Sequence, residues 1–419
     1  MRCWTRSFLL LMLCSRQAQS LMRPLVVVLA GPTAVGKSDV AAQLCAAHQG
    51  TIVSADSVQA YRGVQIGANK PTKEELAKTS YRLIDVAGPN DNYNAAEWRT
   101  DAIAAIDELT NESKLPVVVG GTMMYLQWLV HGRPDAMQPT EEALTQAKAI
   151  IEGFEGKDDW EAAERHVRDQ GERYSQQVDK LSGKDWYRIR RILEIALSKP
   201  SDEANVFSGE REGSLESLGY DVRCFFLCPN DRMQHTTIVD ERCEQMIQRG
   251  LFQETTDLSL AGELPDMAAR AIGYRQVLDY LNRNDPRNED ATAFQSFLDE
   301  FTTATRRYAK RQMQWFRKDD SFVFVPVSVT EDKTRRVEAT TKHIARLMKL
   351  ERDVYDAERA DENSVWRTTR RTNEEQGKLM KTYQFQRHIL KPGSSEETVV
   401  LSIADECTHR LQAKRRKPA

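Results

Sequence analysis

The residues with the clearest chemistry lie in one short stretch near the start of the chain. Residues 25–30 (LVVVLA) are apolar and rich in β-branched side chains, which is typical of a buried strand. They lead into GPTAVGKS, which fits the pattern G-x-x-x-x-G-K-[ST], and residues 39–48 can supply the helix that follows. In this pattern, loop amides, a lysine and the positive end of a helix surround a phosphate, and the serine hydroxyl can hold Mg²⁺. We therefore predict a phosphate site formed by Gly31, Pro32, Thr33, Ala34, Val35, Gly36, Lys37 and Ser38.

An aspartate closes the second predicted strand, residues 51–56 (TIVSAD). Ligands of open parallel sheets bind at the carboxyl ends of the strands, so Asp56 should project beside the phosphate loop. NTP hydrolases usually place an acidic residue at the end of a further apolar strand, whereas this chain has VVVGGT at residues 117–122. A lone carboxylate favours a general base over a metal clamp, and an aspartate that only forms a turn is the alternative.

Composition limits the class of protein. The chain has 419 residues, of which 40% are hydrophobic and 29% charged, so it can bury a sizeable core and needs no membrane. The formal net charge is only −3, and a nucleic-acid surface would therefore be a local patch. Seven scattered cysteines indicate reduced thiols in a reducing compartment. Cys224 and Cys228 lie in an apolar, strand-like run and are not expected to bind a metal.

The first 23 residues differ from the rest of the chain. They contain four arginines and no acidic residue, around a short apolar run at residues 8–14. This composition favours a targeting leader, either an organellar transit peptide or a secretory-type signal. A disordered extension that stays in the cytoplasm is the alternative. We exclude residues 1–23 from the fold.

Strands and helices alternate through most of the chain, which predicts an α/β fold, a parallel sheet flanked by helices. The predicted core comprises residues 24–132 and 201–330. Residues 133–200 interrupt the alternation with charged and amphipathic helices, which indicates an all-helical insertion domain. The polar, charge-rich residues 331–419 are expected to form a C-terminal extension that is partly disordered.

Two basic helices could contact RNA. Residues 187–197 (YRIRRILEIAL) carry Arg188, Arg190 and Arg191 beside an apolar stripe. Residues 303–318 (TATRRYAKRQMQWFRK) place cations at helical spacing, with Tyr308 and Trp315 expected on the packed side. Such cations can bind phosphates without reading sequence. A solvated charged face is the alternative for both helices.

Six motifs occur together in a specific order. They are GPTAVGKS (31–38), ADSVQAYRG (55–63), GGTMMY (120–125), YRIRRILEI (187–195), ARAIGYRQ (269–276) and TRRYAKRQMQWFRK (305–318). In order and approximate spacing they resemble the tRNA dimethylallyltransferases, also called tRNA isopentenyltransferases. The resemblance covers about residues 24–327 and implies a P-loop NTPase-like core.

The resemblance implies a prenyl transfer. Dimethylallyl diphosphate would bind at the phosphate loop, and N6 of the adenosine 3′-adjacent to the anticodon would accept the dimethylallyl group. Asp56 would be the general base, while Lys37, Thr33 and Mg²⁺ on Ser38 would stabilise the leaving diphosphate. Alignment of residues 242–250 with the family places Arg242 at an arginine that contacts this leaving group, although a mid-helix arginine by itself is most often a surface residue.

The resemblance also implies partners and their contacts. The anticodon stem-loop of tRNA would be held by the helical insertion, and a target base can leave a single-stranded loop at a cost of a few kcal/mol. Neither a membrane nor a second subunit is expected. The residues implied to line the tRNA path are Asp56, Ser57, Val58, Gln59, Thr122, Tyr187, Arg188, Arg190, Arg191, Arg270, Gly273, Tyr274 and Arg275.

Several departures from the family pattern matter. In the predicted third strand, residues 81–86, Tyr81-Arg82 replaces a histidine pair that usually precedes the LID of that strand. Lys184-Asp-Trp186 replaces a segment that commonly contains asparagine. Eukaryotic cytosolic members often end in a C2H2 zinc finger, which this sequence lacks, and this favours a bacterial-type enzyme in a mitochondrion or plastid.

Three other functions are consistent with parts of the sequence. A small-molecule kinase would use the same phosphate loop with ATP, but the chain lacks an arginine-rich lid. An adenylate isopentenyltransferase that makes free cytokinin would lack a substantial RNA-binding insertion such as residues 133–200. A non-catalytic RNA-binding descendant would have lost the phosphate loop or Asp56, and both are intact.

Overall fold

The computed structural model describes residues 23–134, 139–181, 183–198, 211–282 and 291–415. Two compact units are present. The larger comprises residues up to Val130 together with Leu215 onwards, and the smaller comprises His131–Ser214. The smaller unit begins two residues before the predicted insertion and ends 14 residues later (131 against 133, and 214 against 200).

Eight strands occur in the described residues. They are β1 (Leu25–Ala30), β2 (Gly50–Ala55), β3 (Tyr81–Arg82), β4 (Leu115–Gly120), β5 (Arg133–Pro134), β6 (Arg211–Glu212), β7 (Asp221–Pro229) and β8 (Phe322–Val327). Six of them form one parallel sheet in the order β3-β2-β4-β1-β7-β8. The predicted P-loop NTPase-like parallel sheet is confirmed. Buried apolar residues fill β1, β4 and β7 almost without interruption, as a sheet covered on both faces requires.

Helices flank the sheet within the larger unit, and others form most of the smaller unit. In the first half they are α1 (Lys37–His48), α2 (Lys73–Lys78), α3 (Ala95–Asn111), α4 (Met123–His131), α5 (Glu141–Glu155), α6 (Trp160–Arg168), α7 (Glu172–Val178) and α8 (Trp186–Leu197). In the second half they are α9 (Arg232–Gln248), α10 (Leu251–Ala261), α11 (Asp266–Ala269), α12 (Tyr274–Leu281), α13 (Ala291–Phe316), α14 (Lys333–Met348), α15 (Arg352–Ala360), α16 (Val365–Leu379) and α17 (Ser395–Arg415).

Helix α3 shows how local sequence positions a helix on the sheet. The Asn94 side chain caps the N-terminus by accepting hydrogen bonds from backbone N–H groups of the first turn. The Glu97 carboxylate accepts a bond from the backbone N–H of Asn94, which completes a capping box. Trp98 is fully buried, stacks on Tyr125, and donates its indole N–H to the carbonyl of Ser54 at 2.9 Å. This bond ties α3 to β2 just before the strand reaches Asp56.

The third strand is shorter than the predicted run of residues 81–86. It ends at Arg82 because Leu83 and Asp85 adopt positive φ angles of 62° and 58°, which are incompatible with a strand. Lys70 is buried and forms an ion pair with Asp85, which holds this turn.

The smaller unit is mainly helical, with a core in which Ile151, Val167, Ile189 and Leu193 are buried. Within the predicted insertion, the described elements are helices apart from Arg133–Pro134, which pairs with Arg211–Glu212 beyond it as a short antiparallel ribbon. The two ends of the unit therefore lie side by side, which explains why it extends past residue 200. Residues 135–138, 182 and 199–210 lie outside the described chain.

The C-terminal extension predicted to be partly disordered is folded over residues 331–415. It forms α14 to α17 and belongs to the larger unit. The physical reason is that apolar side chains spaced along these helices are buried in its hydrophobic core, among them Ile344, Leu347, Tyr355 and Trp366. The predicted leader, apart from Arg23, lies outside the described residues.

Candidate active site

The predicted phosphate loop, residues 31–38, joins β1 to α1 as the motif requires. Gly36 precedes the first turn of α1 with φ of 98°, a left-handed conformation that favours glycine. The ammonium group of Lys37 donates to the carbonyls of Gly31 and Pro32 at 2.9 and 3.0 Å. Burial, followed by the charge of Arg242, lowers the pKa of Lys37 to about 7. A bound anion would raise this pKa again, because negative charge stabilises the ammonium form.

Two side chains from distant helices fix the peptide of Thr33 in this loop. Its N–H donates to Gln312 Oε1 at 2.9 Å, and its carbonyl lies 3.0 Å from His235 Nε2. Burial lowers the pKa of His235 to about 4, so the ring is neutral and its Nε2–H donates to Thr33. Gln312 also donates to the carbonyl of Gly121 at 3.0 Å. The loop is therefore braced before any ligand binds.

Asp56 follows β2 and lines the same cleft as Lys37, Ser38 and Arg242. Its Oδ1 accepts hydrogen bonds from the amides of Val58 (2.9 Å) and Gln59 (3.3 Å), which form a turn around the carboxylate. Within the described residues Oδ2 accepts no hydrogen bond, so it is available to a ligand. The Asp56 charge acts to raise the pKa values of Lys37 and Arg242, which places the carboxylate close to both cations.

Arg242 on α9 and Tyr308 on α13 complete the walls of the cleft. Burial lowers the pKa of Arg242, and the neighbouring Cys243 and Asp56 act in the opposite direction. The Tyr308 hydroxyl donates to the carbonyl of Gly121 at 3.1 Å. Burial, followed by the charge of Asp56, raises the pKa of Tyr308, so this phenol remains a neutral hydrogen-bond donor. The cleft thus contains two cations, one carboxylate and neutral donors.

The turn after Asp56 is joined to the end of β4. The Thr122 hydroxyl accepts a hydrogen bond from the Ser57 amide at 3.1 Å, and the Thr122 amide donates to Ala55 at 3.3 Å. A Cβ on Gly120 would lie 2.1 Å from the Ala55 carbonyl oxygen, so only glycine allows this approach. Gln59 accepts from Ser54 and donates to the Ala68 and Asn69 carbonyls. The predicted residues Asp56, Ser57, Gln59 and Thr122 are therefore brought together.

The predicted contacts from residues 270–275 divide into two groups. Arg270 and Arg275 are exposed, as an RNA-binding role needs. Gly273 and Tyr274 are buried, and their prediction as RNA contacts is wrong. The Tyr274 hydroxyl donates to Glu254 Oε1 at 2.6 Å, and the same carboxylate accepts three backbone N–H groups from residues 65–67. Tyr274 therefore supports the loop that follows Gln59.

The smaller unit presents Tyr187, Arg188, Arg190 and Arg191 in the first turns of α8. Tyr187 is 62% exposed and Arg188 is exposed. Arg190 and Arg191 both pair with the buried Glu194, at 3.4 and 3.0 Å, which neutralises part of their charge. Tyr187 and Arg188 are thus the exposed members of this set, and Arg188 also pairs with Asp185 at 3.3 Å.

The cations of helix α13 do not form the single exposed stripe that the sequence predicts. Nη1 of Arg306 donates to both carboxylate oxygens of buried Asp240, at 2.8 and 2.9 Å, so Arg306 supports the core and is not presented to RNA. Trp315, expected on the packed side, is 40% exposed. Arg307 and Lys310 are exposed. The face that meets the cleft carries Tyr308 and Gln312.

Metal-binding potential in the cleft is limited to oxygen donors. Across the described ranges, no group of three or more His, Cys, Asp or Glu side chains could hold a metal ion. The hydroxyl of Ser38 is exposed and lines the cleft with Asp56. This donor set suits Mg²⁺, which takes one or two protein ligands and completes its shell with phosphate oxygens and water.

In the described part of the chain, no helix combines the length and apolar character that a membrane crossing requires.

The sequence did not single out His235 or Gln312. Tyr308 lies on the packed side of its helix, as predicted, but its place in the cleft was not predicted. Gln312 and Tyr308 lie four residues apart on α13, and a helical-face analysis could have paired them. Nothing local marks His235 as a partner of the phosphate loop, because the contact joins residues 202 positions apart.

The IPP transferase family model matches residues 59–319 of this chain. Two curated relatives are similar over most of their length. tRNA dimethylallyltransferase 9 of Arabidopsis thaliana is 32% identical, with 83% of this chain and 82% of the relative covered. A tRNA dimethylallyltransferase of Protochlamydia amoebophila is 32% identical over 73% of this chain and 84% of the relative.

Solved structures share the fold. A tRNA isopentenylpyrophosphate transferase from Bacillus halodurans superposes with a TM-score of 0.52 at 24% identity, covering 86% of this chain and all of the other. A eukaryotic dimethylallyltransferase acting on tRNA gives a TM-score of 0.57 at 20% identity, covering 94% of this chain and 98% of the other.

Proposed function

Because this chain belongs to the IPP transferase family, we propose that its cleft transfers the dimethylallyl group of dimethylallyl diphosphate to N6 of the adenosine 3′-adjacent to the anticodon of a tRNA. The observation that carries the proposal is the grouping of Asp56, Lys37, Ser38 and Arg242 around one cleft. Two cations beside a phosphate loop suit a leaving diphosphate, and a carboxylate in the same cleft suits removal of a proton.

Asp56 acts as the general base. The adenine N6 lone pair is delocalised into the ring, so N6 becomes a competent nucleophile when its proton is accepted during attack. The N6–C1 bond forms, the allylic C–O bond breaks, the diphosphate leaves with the electron pair, and the proton passes to Asp56. The turn amides of Val58 and Gln59 hold Oδ1 in place, which leaves Oδ2 for the proton.

The diphosphate is stabilised by preorganised positive charge. Lys37 and Arg242 are both destabilised as cations by burial, so they interact most favourably when negative charge builds on the leaving group. The loop amides, braced through Thr33 by His235 and Gln312, need little reorganisation. The hydroxyl of Ser38 would ligate Mg²⁺, which supplies further neutralisation of the phosphates.

The tRNA would contact both the cleft beside Asp56 and exposed arginines outside it. Ser57, Gln59 and Thr122 lie beside Asp56, where the extruded base would bind. Exposed Arg270 and Arg275 in the larger unit, and Arg188 in the smaller one, supply phosphate contacts. We propose a monomer, since the described cleft is assembled within one chain, and an organellar location, since residues 1–23 are arginine-rich and lack acids.

Acceptor competition tests the function. The protein is incubated with radiolabelled dimethylallyl diphosphate, Mg²⁺, and either total tRNA, AMP or both. We expect label in tRNA, with AMP a poor competitor. Label in AMP would indicate the adenylate isopentenyltransferase, and turnover of ATP without any prenyl donor would indicate a kinase. Either result would refute the proposal.

A further inference from the structure

A second cavity, of about 330 Å³, lies in the larger unit and is lined in part by His235. We refer to it as the C-terminal cavity, because Gly377, Met380, Lys381 and Tyr383 of the extension form one wall. Helices α9 and α13 form the others, with Arg232, Arg307 and Lys310 among their lining residues. No carboxylate lines this cavity among the described residues. Its walls are therefore strongly cationic.

The main observation is the state of Arg232. This side chain is only 7% exposed, yet no Asp or Glu pairs with it in the described part of the chain. Its guanidinium donates a single long bond, 3.4 Å, to the Asn373 carbonyl. Burial, followed by the charge of Arg317, lowers the pKa of Arg232. A buried cation without a counter-ion is energetically costly, and a bound anion would relieve that cost.

The extension is built around this guanidinium. A Cβ on Gly377 would lie 3.0 Å from Arg232 Nη1, so α16 passes close to this guanidinium. Gln376 accepts a hydrogen bond from the Arg232 amide at 3.1 Å. Arg306, in contrast, is already neutralised by Asp240. In the described part of the chain, the lining cations without an ion pair are Arg232, which is buried, and Arg307, Lys310 and Lys381, which are exposed.

We propose that the C-terminal cavity binds a diphosphate group at a second site, distinct from the phosphate loop. A carboxylate carries one negative charge and would leave most of these cations unmatched, whereas a diphosphate carries several and accepts charge-assisted hydrogen bonds from many donors. The choice of diphosphate as the ligand rests on the proposed function, in which a diphosphate group is part of the donor and is released as the product. The group could be the released inorganic ion or the prenyl donor, for which Val239, Met313 and Met380 supply apolar wall.

An anion bound in this cavity would affect the phosphate loop through His235. Its ring lines the C-terminal cavity, and its Nε2 bonds the carbonyl of Thr33. An anion beside the ring changes the strength of that bond. One side chain therefore lies between the C-terminal cavity and the phosphate loop.

Calorimetric titration tests the proposal with the full chain, Mg²⁺, and inorganic diphosphate or dimethylallyl diphosphate as separate probes. The variant is Lys381→Glu, and the matched control is Lys378→Glu, an exposed lysine one turn earlier that does not line the cavity. We expect two sites in the wild type and in the control. In Lys381→Glu the second site should weaken by roughly tenfold or more while the first is unchanged.

The two probes identify the ligand. A second site for inorganic diphosphate assigns the product, and a second site only with dimethylallyl diphosphate assigns the donor. One site for both probes in the wild type would overturn the proposal, as would a second site insensitive to Lys381→Glu. Displacement of the second ligand by tRNA would assign the cavity to RNA phosphates and also overturn it. These results depend on binding alone, so they are distinguishable from failure of the transfer assay.

Discussion

Replacing Asp56 by asparagine separates proton removal from every other property of the site. The amide oxygen of Asn can still accept the bonds that Val58 and Gln59 donate at 2.9 and 3.3 Å, so the turn should persist. What is lost is the base. General-base catalysis contributes roughly 10²–10⁴-fold, or about 2.7–5.5 kcal/mol of barrier. We therefore expect the single-turnover rate of prenyl transfer to fall by about that factor.

The binding measurement makes this test specific. Asp56 acts to raise the pKa of Lys37, so its removal leaves Lys37 slightly less protonated, and binding is best compared at a pH below 7. There the affinity for diphosphate should change less than about threefold, well under 1 kcal/mol. Asp91→Asn is the control, because this exposed aspartate also accepts a backbone bond, from Gly88, outside the cleft. A wild-type transfer rate in Asp56→Asn would refute the general-base role.

Four further predictions address other parts of the account. Above pH 7, donor affinity should fall by about tenfold per pH unit, because Lys37, with its pKa lowered to about 7, must be protonated to bind the anion; titrations showing no such loss would contradict this. Arg188→Glu should weaken tRNA binding and lower its log–log salt slope by about 1, with donor KM unchanged; an unaltered slope would exclude Arg188 from RNA binding. Gln312→Ala, which leaves the Thr33 amide unpaired, should weaken diphosphate binding by about 1–3 kcal/mol in calorimetry; wild-type affinity would remove its bracing role. Tyr274→Phe should lower unfolding stability by about 1.5–3 kcal/mol in denaturant titration, with tRNA affinity retained; weaker RNA binding without destabilisation would restore the contact role.

The sequence predicts those parts of the site whose residues lie close together in the chain or at the ends of neighbouring strands. Residues 31–38 contain strand end, loop and helix start in one segment, so spacing alone defines the phosphate site. Asp56 could be placed because the carboxyl ends of parallel strands share an edge of the sheet. Its proximity to Lys37 and Arg242 in the structure agrees with that reasoning.

The parts that sequence does not predict depend on which face of a helix meets the sheet. Trp315 and Arg306 were placed by helical spacing, but packing against α9 gives Arg306 the buried partner Asp240, while Trp315 is left largely exposed. Tyr274 lies in a motif with two exposed arginines, and its burial is set by Glu254, 20 positions away. In the extension, polar composition obscured widely spaced apolar residues such as Tyr355 that anchor its helices.

The most direct test of the central claim is a structure of the protein with Mg²⁺ and a non-hydrolysable thiolo analogue of dimethylallyl diphosphate. The account predicts the diphosphate on the loop amides, Lys37 and Arg242, with the allylic carbon between that group and the Asp56 carboxylate. An analogue bound away from residues 31–38, or with its allylic carbon turned away from Asp56, would contradict it.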